Sequence, residues 1–215
     1  MQIAIAVFDQ FTALDAVGPY QVLAELPQTE VVTVATRPGP VRDDRSLTFQ
    51  AAAAFDEVTE PDVIVVPGGL ITRRMVRDHH PVIDWIAAVH PTATWTTSVC
   101  TGAVLLAAAG VLTGRSATTH WIAYDQLTEL GATPTDQRVV VDGDVVTAAG
   151  VSAGIDMALT LADRIGGATT AQAIQLGIEY DPQPPFDAGA PRKAGEAVRV
   201  PVAQWLRRRE ADLLA

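Results

Sequence analysis

The sequence predicts an α/β fold, in which a doubly wound, mainly parallel sheet is sandwiched by helices. Short apolar runs that are rich in β-branched residues are typical of parallel strands buried on both faces. Segments with helical spacing of apolar residues separate these runs, as they do in βαβ units. The run at 63–66 ends abruptly at Pro67-Gly68-Gly69, which indicates a sharp turn at the end of a strand.

The predicted strands follow the apolar runs in chain order. Four segments predict strands of the main sheet: the buried apolar runs 2–8 and 63–66, and the strands 31–35 and 94–99. Shorter runs predict further strands near 116–119, 138–141 and 145–148. Asp142-Gly143 lies between the last two runs and predicts a β-hairpin. Residues 38–50 hold Pro, Gly and charges, and they predict a loop with a small excursion of β-structure.

Helices are predicted between and after the strands. The predicted segments are a helix that begins near Ala13, helices at 70–78, 81–89, 101–109, 152–165 and 169–178, and a short terminal helix at 202–214. Thr12 suits the N-cap of the first helix. Pro19 lies inside that helix and should start or kink it there, because proline lacks the N–H group that the helix ladder needs.

The chain is expected to form a single domain over residues 1–215. Apolar residues make up 48% of its 215 residues, which is enough for one large core, and no internal repeat or long linker divides the sequence. Residues 181–195 are rich in Pro, Gly and Ala and lack periodicity. We therefore expect residues 181–215 to be a C-terminal extension that packs on the domain or on a second copy of the chain.

Charge and cysteine content narrow the function classes. The formal net charge of −10 repels phosphate backbones, so nucleic-acid binding is not expected. No basic leader precedes the first apolar run, and no run reaches the ~18 residues of a membrane span. The one cysteine cannot form an internal disulfide, which fits a reducing compartment. These features predict a cytoplasmic protein without a membrane partner.

Cys100 stands where a predicted strand ends and a helix of small residues begins. This strand–turn–helix context is that of a nucleophile elbow, and Gly102 permits the tight turn because it has no Cβ. The start of a helix favours a thiolate, because free N–H groups and the helix dipole stabilise negative charge there. The alternative is a buried, inert cysteine that acts as a small hydrophobic residue.

Three motifs resemble those of the ThiJ/PfpI superfamily, which is related to class I glutamine amidotransferases and has a flavodoxin-like fold. They are VPGG at 66–69, SVCTGA at 98–103 and ATTHW at 117–121. LDAVGP at 14–19 and IEYDPQPPF at 178–186 resemble the isocyanide hydratase branch. This resemblance implies a cofactor-independent hydro-lyase that adds water to an isocyanide and gives an N-substituted formamide through a covalent thioimidate on Cys100. It also implies a homodimer.

The resemblance assigns roles to further residues. It implies that Asp15 contacts the nucleophile as acid and base, although by position alone Asp15 is an acidic residue stabilised by a helix N-terminus. Gly68, Gly69 and Thr101 are implied donors to developing negative charge or to substrate, whereas the glycine pair alone indicates a tight turn. The expected pocket residues are His120, Trp121 and Gly150. His120 is either a base for Cys100 or a structural hydrogen-bonding residue.

Two other functions stay open at this point. A glyoxalase or deglycase would use the same cysteine and acid on a reactive carbonyl, with His120 as a frequent partner. A non-catalytic ligand-sensing or redox-sensing domain, related to AraC-type regulators, would bind a small molecule without turnover. No cluster of Cys, His and acidic residues has metal-ligand spacing, and no nucleotide fingerprint is present, so no metal and no cofactor are expected.

Overall fold

The computed structural model describes residues 1–214, and a mainly parallel sheet of seven strands runs through its centre. The strands are β1 (Gln2–Ala6), β2 (Glu30–Ala35), β3 (Gly39–Arg42), β4 (Thr48–Ala51), β5 (Ala53–Ala54), β6 (Val63–Val66), β7 (Trp95–Val99), β8 (Ser116–Ala117), β9 (Thr133–Pro134), β10 (Val139–Asp142) and β11 (Val145–Ala148). The order in the central sheet is β10-β11-β7-β6-β1-β2-β5. All neighbours are parallel except the hairpin β10–β11.

Helices flank the sheet in two packed groups. They are α1 (Ala13–Leu23), α2 (Thr72–Arg77), α3 (Pro81–Val89), α4 (Gly102–Ala108), α5 (Tyr124–Glu129), α6 (Ala153–Gly166), α7 (Ala168–Gly177) and α8 (Glu196–Leu214). Helices α1 and α7 pack on α6, whereas α2, α3 and α5 pack on α4. Short 3-10 helices lie at Phe55–Glu57 and Trp121–Ala123. The predicted fold class, a parallel sheet between helices, is confirmed.

The apolar runs form the centre of the core. All four residues of β6 are fully buried, and Ile3 to Ala6 of β1 are buried to the same degree. Because both strands are covered on both faces, they need continuous apolar sequence rather than alternation. Buried residues from β1 to α7 join one hydrophobic cluster, and the C-terminal segment adds only Leu213 at its edge.

Several predicted elements differ in detail. Helix α1 runs through Pro19 instead of starting there, and the Thr12 side chain makes no capping hydrogen bond. The predicted strand near 116–119 is only two residues long and pairs with β9 in a separate small sheet. The terminal helix α8 begins at Glu196 and includes Pro201, so it is longer than the predicted 202–214. Helix α5 was not predicted.

The topology brings three chain segments to one edge of the sheet. Strands β1, β6 and β7 are adjacent and parallel, so the segments that follow them leave from the same carboxyl edge. Asp15 follows β1, Gly68 follows β6 and Cys100 follows β7. None of the helices within residues 1–214 combines the length and hydrophobicity that a membrane span requires.

Candidate active site

Cys100 lies in a strained turn between β7 and α4. Its φ angle is 57°, a left-handed conformation that non-glycine residues rarely adopt. Its N–H donates to the carbonyl oxygens of Ala148 (3.1 Å) and Ala149 (2.8 Å). Its own carbonyl accepts a hydrogen bond of 2.8 Å from Thr119 Oγ1. Hydrogen bonds at both backbone groups therefore stabilise the strained conformation.

The turn depends on close contact between α4 and β6. A Cβ atom on Gly102 would lie 2.1 Å from the carbonyl oxygen of Val66, so only glycine fits. Similarly, a Cβ on Gly68 would lie 2.5 Å from the backbone nitrogen of Thr101. The loop after β6 and the start of α4 therefore touch through their backbones, and this contact fixes the position of Cys100.

Asp15 is a fully buried carboxyl group in the first turn of α1. Its Oδ2 accepts a 2.9 Å hydrogen bond from the Gly68 N–H, while its Oδ1 is buried without a hydrogen-bond partner. Burial raises the pKa of Asp15 from 3.8 to about 7, and the hydrogen bond from Gly68 and the neighbouring Cys100 thiol oppose this rise. A nearby carboxylate, Asp44, raises the same pKa slightly further.

The Cys100 thiol is also buried, and its pKa is raised well above the ordinary value. Burial is the main cause, and the charge of Asp15 adds to it. The backbone N–H and the hydroxyl of Thr101 lower the pKa of the thiol by less. The prediction that the start of α4 favours a thiolate is therefore wrong for the resting protein. This helix has only seven residues, and burial beside a carboxyl group outweighs its effect.

Thr101 and the glycine pair form a closed hydrogen-bond set. Thr101 Oγ1 accepts from the Gly69 N–H (2.9 Å) and donates to the Gly69 carbonyl (2.8 Å). The Gly68 N–H is occupied by Asp15. Both glycine N–H groups already have partners, so the role expected of them, donation to a substrate, requires these bonds to break. In the resting protein they hold Asp15 and Thr101 in place.

A cavity of about 240 Å³ opens beside Cys100. Its lining comes from seven parts of the chain: Thr12, Asp44, Arg45, Gly69, Leu70, Cys100, Thr101, His120, Ile122, Val151, Trp205, Leu206 and Arg209. Of the three expected pocket residues, His120 lines this cavity, whereas Trp121 and Gly150 are not part of the lining. Both pack behind His120 instead: the Trp121 ring lies 5.6 Å from its ring, and a Cβ on Gly150 would lie 3.0 Å from its Cδ2.

The His120 side chain forms a hydrogen bond to the backbone in the resting protein. Its Nδ1 accepts a 3.4 Å hydrogen bond from the Ile122 N–H at the start of a 3-10 helix. Burial lowers the pKa of His120 to about 4, so the imidazole is neutral at pH 7. Among the described residues, no hydrogen bond joins His120 to Cys100. This geometry agrees with the structural alternative for His120, although the ring still faces the cavity.

The residues at the cavity mouth were not predicted. Asp44 and Arg45 come from the loop between β3 and β4, and Trp205 and Arg209 come from α8. Arg209 forms an ion pair of 3.5 Å with Asp44. No local motif marks these residues, because they meet only through the tertiary fold. The run of arginines at 207–209 was the one visible signal, and it did not identify a partner.

Comparison with known proteins identifies the family. Residues 1–164 match the DJ-1/PfpI family. The chain is 44% identical to an isonitrile hydratase of Pseudomonas putida over 92% of this chain and 86% of that protein. It is 31% identical to a deglycase of Pyrococcus abyssi over 68% of this chain and 89% of that protein. A crystal structure of a ThiJ/PfpI family protein from Pseudomonas syringae superposes with a TM-score of 0.93 at 34% identity, and the match covers 99% of this chain and 88% of that one. The chain therefore belongs to the DJ-1/PfpI family.

Proposed function

We propose that this protein is a hydro-lyase that adds water to isocyanides, also called isonitriles, and forms N-substituted formamides. The observation that carries the proposal is the buried pair of Asp15 and Cys100 beside a small cavity. A pKa of about 7 lets Asp15 both accept and donate a proton near neutral pH. Similarity to the isonitrile hydratase of Pseudomonas putida over most of both chains supports the same activity.

The first half of the proposed reaction forms a covalent intermediate. The terminal carbon of an isocyanide must gain both a nucleophile and a proton. As the substrate enters, the Asp15 carboxylate takes the proton of the Cys100 thiol, and the sulfur bonds to the terminal carbon. Asp15 then gives that proton to the same carbon. The product is a neutral thioimidate, R–N=CH–S–Cys100, and Asp15 is again a carboxylate.

The second half hydrolyses this intermediate. Asp15 removes a proton from a water molecule as the hydroxide bonds to the thioimidate carbon, and it then gives this proton to the nitrogen. The product is a tetrahedral adduct, R–NH–CH(OH)–S–Cys100. The carbon–sulfur bond then breaks as the carbonyl forms, and the hydroxyl proton of the adduct passes to the sulfur through Asp15. The sum is R–NC + H₂O → R–NH–CHO, so the steps need only protein groups and water.

Thr101 and the two glycines support the nucleophile in this scheme. The Thr101 N–H hydrogen bond to the sulfur lowers the pKa of Cys100, and it therefore stabilises the thiolate during attack. Gly68 keeps Asp15 oriented toward Cys100, and Gly69 keeps Thr101 in place. Cys100 at φ 57° between β7 and α4 then has the geometry of a nucleophile elbow.

The direct test is turnover of para-nitrophenyl isocyanide, followed by absorbance and by mass spectrometry of the product. The reduced wild-type protein should yield the formamide, and Cys100→Ala should yield none. Asp15→Asn should lose about 100-fold or more in rate, because it cannot move a proton. Ser98→Ala is a matched control, since Ser98 is fully buried in β7 and its Oγ has no hydrogen-bond partner. It should keep the wild-type rate.

Two outcomes would reject the proposal. No formamide from the reduced wild-type protein, with turnover of methylglyoxal, would favour the deglycase alternative. Tight binding of a small molecule without any turnover would favour a sensing domain. Equal rates for wild type and Asp15→Asn would reject the acid–base role of Asp15 alone. Intact-mass measurement of the quenched reaction should show an adduct of substrate mass that is missing in Cys100→Ala.

We also propose that residues 1–215 form one domain that acts as a cytoplasmic homodimer. Exposed apolar side chains on α1 support this assembly: Leu14, Val17 and Tyr20 are 42%, 39% and 47% exposed. In the C-terminal extension, α8 contacts α2 through the hydrogen bond from Arg74 to the carbonyl oxygen of Leu213. Phe186, in the segment before α8, is 77% exposed. A second copy would cover such surfaces. Analytical ultracentrifugation should give twice the 22.7 kDa chain mass, and a monomer at micromolar concentration would contradict the dimer.

A further inference from the structure

The terminal helix α8 forms part of the wall around Cys100, although it lies outside the core. Trp205, Leu206 and Arg209 line the cavity, yet no residue of α8 is buried. These three positions share one side of the helix, because Arg209 follows Leu206 by three residues and Trp205 by four. The catalytic cavity is therefore closed on one side by a surface helix rather than by the central sheet.

Polar contacts hold the carboxyl half of α8 on the domain. Arg74 and Arg77 of α2 donate hydrogen bonds to the carbonyl oxygens of Leu213 (3.1 Å) and Leu214 (2.8 Å). Glu210 pairs with Arg73 at 3.5 Å. These bonds satisfy carbonyl groups at the helix end that have no partner within the helix. The helix is thus anchored beyond the cavity, and Trp205 lies on the part that spans the opening.

Five apolar side chains line the cavity beside its charged residues. Leu70, Ile122, Val151 and Leu206 contribute aliphatic walls, and Trp205 contributes the one aromatic surface of the lining apart from His120. Trp205 is still 46% exposed in the structure, so its ring is available for contact. A cavity of about 240 Å³ lies below the ~300–1,000 Å³ range of pockets for larger ligands. A substituent no larger than a single ring fits this volume, and it meets an indole ring.

Arg209 fixes the orientation of this indole. Its guanidinium carbon lies 5.0 Å from the centre of the Trp205 ring, which is within the range of a cation–π contact. The same guanidinium pairs with Asp44 at 3.5 Å, and Asp44 also faces Arg45 at 3.9 Å. The loop between β3 and β4 therefore holds Arg209, and Arg209 holds Trp205 over the cavity.

We propose that Trp205 is the specificity-determining residue of the site, and that it selects isocyanides with an aryl substituent over those with a small alkyl group. Arg209 acts as a positioning residue for Trp205. The proposal rests on the proposed hydration of isocyanides, since it places the isocyanide carbon at Cys100 and the substituent against α8. Aromatic stacking on the indole supplies the preference.

The test compares kcat/KM for para-nitrophenyl isocyanide and ethyl isocyanide. Trp205→Ala should lower the value for the aryl substrate about tenfold, mainly through KM, and change the ethyl value less than twofold. Trp205→Phe should recover most of the loss. Val198→Ala is the matched control, because Val198 is exposed on the same helix and does not line the cavity. Equal losses for both substrates, or no loss for either, would overturn the proposal.

A second measurement does not depend on turnover. Iodoacetamide should alkylate Cys100 of the wild-type protein from the cavity, and N-phenylformamide should slow this alkylation more strongly than N-ethylformamide does. Trp205→Ala should remove the difference between the two formamides. If the wild-type protein showed this difference but no hydration, only the proposed reaction would fail. If Trp205→Ala kept the difference, the role of Trp205 would be rejected whatever the reaction.

The positioning role of Arg209 is tested by a double-variant cycle. Arg209→Ala should reduce the aryl preference, and the double variant with Trp205→Ala should lose no more than Trp205→Ala alone. Separate, additive losses would show that Arg209 acts on the substrate or the fold by another route, and would overturn the positioning role.

Discussion

The buried carboxyl group of Asp15 predicts that the protein loses stability as pH rises through the acidic range. Its pKa is raised from 3.8 to about 7, chiefly by burial. Between these two values the folded protein keeps a proton that the unfolded chain has released. The free energy of unfolding must therefore fall as pH increases across this window, by at most 1.36 kcal/mol per pH unit. Over about three units, this contribution amounts to about 4 kcal/mol.

Asp15→Asn removes this contribution while keeping the shape of the side chain. The amide oxygen can still accept the hydrogen bond from the Gly68 N–H, and the amide nitrogen replaces the carboxyl oxygen that has no partner. Because asparagine does not titrate, the variant pays no penalty for ionisation in the folded state. The variant should match the wild type in stability near pH 4 and exceed it by up to about 4 kcal/mol at pH 8.

The assay is urea unfolding at pH 4, 5, 6, 7 and 8, followed by tryptophan fluorescence. The quantity of interest is the difference in free energy of unfolding between Asp15→Asn and the wild type, because contributions shared by both proteins cancel. Cys100→Ala is the control, since it keeps Asp15 buried; it should keep a fall in stability with pH, extended to higher pH because the thiol no longer lowers the pKa of Asp15. A difference that is constant from pH 4 to 8, or that favours the wild type at high pH, would refute the electrostatic argument.

Three further predictions concern positions around the site. Gly102→Ala should destabilise the protein by about 3 kcal/mol or more, because the new Cβ would overlap a backbone carbonyl of β6. At the control position, the Cβ of Gly177→Ala meets no atom within 4 Å, and this variant should be about 0.5 kcal/mol more stable than the wild type. Thermal unfolding measures both changes. Thr101→Val breaks two buried hydrogen bonds, so it should lower the free energy of unfolding by about 2 kcal/mol and remove most of the activity. Thr97→Val is the control: it breaks one buried hydrogen bond, should lower the free energy of unfolding by about 1 kcal/mol and should leave the activity intact. Burial lowers the pKa of His120 from 6.5 to about 4, so the unfolded chain binds a proton that the folded protein excludes. This contribution opposes that of Asp15, and it should reduce the free energy of unfolding by up to about 3 kcal/mol from pH 6.5 to 4. In urea titrations, the stability of His120→Gln relative to the wild type should therefore increase by that amount as pH falls through this range.

The central strands could be predicted because their signal is local. The runs at 2–8 and 63–66 are apolar on both faces, and that pattern has few alternatives in a short segment. The extent of helix α8 was harder to predict, since Pro201 suggested that the helix starts after the proline. On a surface helix, the carbonyl group that loses its partner to proline is hydrated by solvent, so the helix continues through the proline.

The candidate site also has a part that the sequence predicts and a part that depends on the tertiary fold. Asp15, Gly68 and Cys100 could be placed together because each follows the carboxyl end of a strand, and parallel strands bring those ends to one edge. The contact between Asp44 and Arg209 joins residues that are far apart in the chain, and neither lies in a motif. Trp121 was expected at the pocket, but the tryptophan that lines the cavity is Trp205, whose position depends on the path of α8.

The protonation states of Asp15 and Cys100 also follow from the tertiary fold, and the proposed reaction depends on them. A helix N-terminus by itself favours a thiolate, whereas burial and the neighbouring Asp15 raise the pKa of the Cys100 thiol. A thiolate alone would supply a nucleophile to the isocyanide carbon but no proton. A protonated thiol next to a carboxyl group with a pKa of about 7 supplies both, because Asp15 can take the thiol proton as the sulfur attacks and return it to carbon. The burial that makes Cys100 a poor resting nucleophile is thus the feature that keeps a transferable proton beside the reacting carbon.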